Sequence, residues 1–135
     1  MDEASKLPSE TAPPTGSPEI DAEHAIQLGL LRAAQAQLNR GDDPGQGSDE
    51  AADATELVEQ LFTYSHAHFL SEQLLMRLAA RSNYEGHVQR HEELMQDLDA
   101  VRAHMQSGDH AAAATVLRAH ERRLLEHIRS WDQAV

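Results

Sequence analysis

The chain has no cysteine. That excludes disulfides, zinc–thiolate sites, iron–sulfur clusters and thiol nucleophiles. Basic residues are scarce: 11 Lys and Arg stand against 23 Asp and Glu, for a formal net charge of −12. A chain this acidic repels phosphate backbones and anionic lipid, so neither nucleic acid nor a membrane surface is an expected partner. No apolar run approaches the roughly 20 residues of a membrane-spanning helix. The opening residues carry acids, prolines and one lysine, without the apolar core of a signal peptide. The expected location is cytoplasmic. Proline is missing after Pro44, and past Gly47 the only glycines are Gly86 and Gly108.

Histidine, by contrast, is in excess: nine in 135 residues, about three times ordinary usage. The nine are scattered, so they form neither a tag nor a surface tract. Their positions relative to the helices decide what they do.

Residues 1–17 are rich in Pro, Ser, Thr and Glu and read as a disordered acidic tail, which offers an unidentified protein partner a point of attachment. Residues 18–135 read as one helical domain. A breaker-rich loop, Gly41-Asp42-Asp43-Pro44-Gly45-Gln46-Gly47-Ser48, separates the first helix from an Ala/Leu/Glu/Arg-rich remainder. Four helices are predicted: about Glu19 to Asn39, Ala54 to Arg81, Asn83 to Gln106, and His110 to Asp132. Their start signals are Ser17-Pro18 or Asp21, the pair Asp53 and Glu56, the pair Ser82 and Glu85, and Asp109. Short connections make neighbours antiparallel, so the expected fold is all-α, an antiparallel up-down-up-down four-helix bundle.

Steps of three and four along each helix give its buried stripe. The first reads His24, Leu28, Leu31, Gln35, Leu38. The second reads Leu57, Leu61, Tyr64, His68, Glu72, Leu75. The third reads His87, His91, Leu94, Leu98, Val101, Met105. The fourth reads Ala113, Val116 or Leu117, His120, Leu124, His127, Trp131. Every apolar stripe runs into histidine or carboxylate. Burying imidazoles and a carboxylate without counter-charge is costly, and a metal ion removes the conflict.

The spacing fits that chemistry. His68 and Glu72 lie one turn apart on one face, as do His87 and His91. His24 comes from the first helix; His127 and Asp132 come from the fourth, at i, i+5. Five residues rotate a side chain by about 140° on a regular helix, so either a π-type widening or a distorted helix end must bring Asp132 round. In an antiparallel bundle all seven groups fall at one end. Two octahedral ions need about twelve positions. Five imidazoles, two bridging carboxylates and a bridging oxo or hydroxo group leave about one open, which suits a small diatomic ligand.

Four segments then stand together: Ile20-Asp21-Ala22-Glu23-His24; Tyr64-Ser65-His66-Ala67-His68-Phe69-Leu70-Ser71-Glu72-Gln73-Leu74-Leu75-Met76; Tyr84-Glu85-Gly86-His87-Val88-Gln89-Arg90-His91; and His127-Ile128-Arg129-Ser130-Trp131-Asp132. In this order the sequence resembles the bacterial hemerythrins, the hemerythrin-like di-iron domain family. The resemblance implies two iron ions with a bridging oxo or hydroxo group, and reversible binding of dioxygen for carriage, storage or sensing. It implies that His87, His91 and His127 bind one iron and His24 and His68 the other, with Glu72 and Asp132 as bridging carboxylates. Leu124, Ile128 and Leu28 would wall the dioxygen pocket. The sequence departs from the family at Gln73, where a second glutamate is usual, and at Thr15-Gly16-Ser17-Pro18, where relatives carry a tryptophan.

Two other functions compete. The same centre would serve a redox enzyme handling peroxide or nitric oxide or oxidising iron. A histidine phosphotransfer bundle needs an exposed histidine, usually beside lysine or glycine; here the stripe histidines are buried and the helices contain no lysine. His120 is expected to be structural or pocket-lining, and His66, His104 and His110 to lie at the surface.

Overall fold

The computed structural model of the protein describes residues 11–41 and 48–133. The first ten residues of the expected tail and the Pro44 loop lie outside them. Four helices follow in order: α1 (Pro18–Gly41), α2 (Ser48–Leu78), α3 (Tyr84–Gln106) and α4 (His110–Ser130). Contacts join α1 to α2, α2 to α3, α3 to α4 and α1 to α4. No diagonal pair meets among the described residues, so the helices form a square four-helix bundle. No helix of the described residues is long and apolar enough to cross a membrane.

Of the two alternative start signals of α1, Ser17-Pro18 is the one that caps it, and Asp21 lies inside the helix. Ser17 Oγ accepts from the Ile20 N–H at 3.2 Å, with Pro18 at the first helical position, where its missing N–H costs nothing. Asp21 Oδ1 accepts from Thr15 N–H at 2.9 Å and Thr15 Oγ1 at 2.8 Å, tying down the residues before the helix. The Asp109 side chain caps α4 by accepting from Ala112 N–H. Two expected caps do not form. Because α2 begins at Ser48, Asp53 is already inside the helix, and its carboxylate accepts instead from Gln37 Nε2. Asn83, not Ser82, is the N-cap of α3, and no side chain caps that end.

The turns after α2 and α3 share one design. After α3, Asp109 N–H bonds His104 O at 2.9 Å and Gly108 N–H bonds Met105 O at 3.1 Å. After α2, Arg81 N–H bonds Met76 O at 3.1 Å and Ala80 N–H bonds Arg77 O at 3.0 Å. These are Schellman pairs, which need a left-handed residue just past the helix. Gly108 fills that position with φ 80°, but Ala80 fills the other with φ 55°.

The core divides along the bundle axis. Leu31, Leu38, Leu61, Leu98, Val101 and Leu117 are among its apolar members, all buried, each contributing about 1.5–3 kcal/mol. The other end holds the start of α1, the end of α2, the start of α3 and the end of α4. The buried side chains there include His24, His68, Glu72, His87, His91, His127 and Asp132. All six stripe positions predicted on α3 are buried. On α2 the stripe runs through Ser65 and Met76 rather than Tyr64 and Leu75; Leu75 is exposed. On α4 Leu117, not Val116, is the fully buried choice.

Candidate metal centre

Each helix delivers its share by a local rule. On α2, one helical turn separates His68 from Glu72, and on α3 one turn separates His87 from His91. Asp132 arrives differently. The helix α4 ends at Ser130, and the Trp131 N–H bonds His127 O at 2.7 Å while Asp132 N–H reaches the same oxygen at 3.3 Å. That i to i−5 bond is a single π-type turn. It supplies the extra rotation and carries Asp132 back into the interior, where its side chain is almost wholly buried. Gln133 Nε2 donates to Ile128 O at 3.0 Å and closes the frayed end.

The seven groups meet, and the two carboxylates divide them. Glu72 Oε2 lies 3.2 Å from His24 Nε2 and 3.2 Å from His68 Nε2. Its other oxygen lies 3.1 Å from His91 Nε2 and 3.8 Å from His87 Nε2. Asp132 Oδ2 lies 3.0 Å from His24 Nε2, whereas Oδ1 lies 2.8 Å from His87 Nε2 and 3.0 Å from His127 Nε2. Two sets with convergent donor atoms result: His24, His68, Glu72 and Asp132; and Glu72, His87, His91, His127 and Asp132. Glu72 and Asp132 belong to both.

Many of these short approaches are not hydrogen bonds. His68 Nε2, both ring nitrogens of His127 and Asp132 Oδ2 are buried without a hydrogen-bond partner. Of these, His68 Nε2, His127 Nε2 and Asp132 Oδ2 face the other groups of the cluster, and unpaired donor atoms gathered in this way suit a cation. Two carboxylates buried among imidazoles also leave uncompensated negative charge, which is costly without cations.

Protons supply that compensation at His24 and His68 and not at His91. Burial alone would lower His24, but Asp132 and Glu72 outweigh it and raise its pKa to about 9. His68 is raised likewise, by Glu72 and Glu23 against burial. Burial also opposes charge on the carboxylates, yet the surrounding histidines hold Glu72 and Asp132 below the usual carboxylate range. On the three-histidine side the ring centroids of His87, His91 and His127 are 4.6–4.9 Å apart. There burial, together with repulsion from His127 and His87, outweighs Glu72 and lowers His91 to about 4. A metal ion meets this need where protons do not.

Two neighbours fix the imidazole orientation. His68 Nδ1–H donates to Glu23 Oε1 at 2.6 Å, and His91 Nδ1–H donates to Gln73 Oε1 at 2.8 Å. Each bond commits the proton to Nδ1 and leaves Nε2 free to face the interior. Phe69 stacks on His91 with centroids 4.3 Å apart. Just inside the cluster, Gln27 Nε2 donates to Ser65 Oγ at 3.0 Å, joining α1 to α2.

The sequence pattern assigned no role to Glu23, Gln73 or Phe69. The stripe rule cannot find partners that lie off the stripe and act across helices, although the Glu23-His24 and Glu72-Gln73 adjacencies are a signal for neighbouring residues that flank a site. Leu28, Leu124 and Ile128 are all buried in the core cluster. His120 is buried too, its Nδ1 bonded to Asp97 Oδ2 at 3.0 Å, and it belongs to neither convergent set. His66 is exposed, and His104 and His110 are half-buried near helix ends.

Comparison with curated proteins and with solved structures gave no match. The profile of the hemerythrin HHE cation binding domain matches residues 15–135. With that match over nearly all of the chain, and a buried His, Glu and Asp cluster at one end of a four-helix bundle, the protein belongs to the hemerythrin HHE cation-binding domain family.

Proposed function

We propose that the chain holds two iron ions at this cluster and binds dioxygen reversibly through them. The observation that carries the reading is the split of each carboxylate, one oxygen toward His24 and the other toward the His87 side. A single ion has no use for that division; a pair bridged by Glu72 and Asp132 needs it. His87, His91 and His127 would hold one iron and His24 and His68 the other, with Glu72 and Asp132 shared by both sets. When bound at these residues, two irons would supply the two-electron reducing capacity that reversible dioxygen binding requires.

The chain's own residues do the rest. Glu23 and Gln73 hold His68 and His91 with Nε2 inward. Leu28 lies one turn from His24, and Leu124 and Ile128 flank His127. All three are buried, and they form an apolar wall that admits a small neutral gas and disfavours water and ions. Exclusion of water slows loss of electrons from the site, which favours a carrier, store or sensor over turnover of peroxide or nitric oxide.

The test is an optical spectrum of the purified protein under anaerobic and aerobic conditions, with metal analysis. About two irons per chain are expected, with an absorption band that forms in air and bleaches when oxygen is removed. Chelation should lower the melting temperature, because binding energy is folding energy. A colourless protein carrying zinc or no metal overturns the reading. Iron that oxidises at once and turns over peroxide or nitric oxide assigns the centre to redox catalysis instead.

A further inference from the structure

Asp132 is the one group of the seven that lies outside a regular helix. Its own N–H bond to His127 is long, at 3.3 Å, and the turn is also held by the Trp131 N–H to His127 O at 2.7 Å and by Gln133 Nε2 to Ile128 O at 3.0 Å. The adjacent residue is Trp131, the chain's sole tryptophan. Its ring lies against α3, 5.6 Å from the His87 ring in an edge-on arrangement, with the Arg90 guanidinium 5.7 Å from its centroid. The indole fits because residue 86 has no side chain. A Cβ there would stand 3.1 Å from Trp131 Cη2 and 3.4 Å from Cζ3, the first tighter than ordinary contact. Gly86 precedes His87 and Trp131 precedes Asp132, and His87 and Asp132 make a 2.8 Å approach, the shortest between a histidine and a carboxylate of the cluster.

We propose that Trp131, seated on Gly86, is a positioning residue that sets the separation of Asp132 from His87. The indole works as a spacer between the last turn of the bundle and the first turn of α3. Side-chain volume at position 86 is therefore transmitted to the Asp132 carboxylate through the indole. The inference rests on the proposed metal-binding role of Asp132. A cavity of about 260 Å³ lined in part by Arg90, Leu94, His127 and Trp131 adjoins the ring. A displaced indole has room to move, so a substitution at Gly86 shifts the turn without unfolding the bundle.

The test uses the full chain and Fe(II) alone, added anaerobically to metal-free protein. Chelator competition gives the affinity. Gly86→Ala should weaken iron binding about tenfold, in the range seen when support around metal ligands is lost. Trp131→Phe removes the ring atoms that the new methyl meets, so the double variant should bind more tightly than Gly86→Ala alone. A Gly86→Ala protein that holds iron as well as the parent, or a double variant with no recovery, overturns the proposal. A second readout needs no metal. In urea unfolding of the apo protein, the effects of Gly86→Ala and Asp132→Asn on the unfolding constant should depart from independence by about threefold or more; a simple product overturns the proposal. If the parent chain takes up no iron, the functional reading fails, and this unfolding cycle still decides whether the spacer acts on Asp132.

Discussion

Replacing Ala80 with glycine should stabilise the protein, although Ala80 touches nothing of consequence. The side chain is exposed, so its methyl contributes little burial that would be lost. Its φ of 55° places an L-residue in the left-handed region at a cost of about 1–2 kcal/mol. Glycine removes that cost but adds about 0.4–1 kcal/mol of conformational freedom to the unfolded chain. The net gain is about 0.5–1 kcal/mol, or roughly 2–4 °C in melting temperature for a domain of this size. The turn after α3 supplies the reciprocal experiment. Gly108 has the same hydrogen-bond pattern and φ 80°, and a Cβ there would meet nothing within 4 Å. Gly108→Ala should therefore destabilise by about the same amount, through backbone conformation alone. Thermal and urea unfolding of the metal-free proteins measure both. A destabilised Ala80→Gly, or a neutral Gly108→Ala, would refute the reasoning.

Two further outcomes follow from the packing. Phe69 is 2 % exposed and stacked on His91; Phe69→Ala should cost about 3–5 kcal/mol in urea unfolding, and a loss below about 1 kcal/mol would show that the ring is not a core anchor. Asp97 is disfavoured as an anion by burial but held below its ordinary pKa by His120 and Arg123. Its contribution is therefore full above pH about 4 and lost as the pH falls through its folded-state value, so the stability gap between the parent and Asp97→Asn should narrow from pH 6 to pH 2; a constant gap rules out the linkage.

The sequence made the four helices and the content of their stripes legible because one residue in every three or four had to be apolar or imidazole. That rule has no ambiguity on α3, where the polar flanks are unmistakable. On α2 it is degenerate: Leu74, Leu75 and Met76 are all apolar, so position 75 or 76 satisfies the period, and only packing selects Met76. Capping signals proved less reliable than periodicity. Asp53 and Glu56 have capping spacing, but α2 continues N-terminal to them. The approach of Asp132 is anomalous from sequence for a physical reason: it depends on an i to i−5 turn, which lies outside the regular helical period that reads the stripes. Contacts among Glu23, Gln73 and the imidazoles likewise arise only when four helices are assembled.

The division of the interior has a consequence for how this protein answers its surroundings. The half built on Leu31, Leu98 and Leu117 is held chiefly by hydrocarbon, with the His120–Asp97 contact as its acid-sensitive part, and so has little in it for a chelator to remove. The opposite half is lined with ionisable groups, and its cohesion would depend on the cation held by its buried His, Glu and Asp cluster. Topology is thus secured at one pole while the other is left free to respond to solution chemistry, without the whole molecule being at stake.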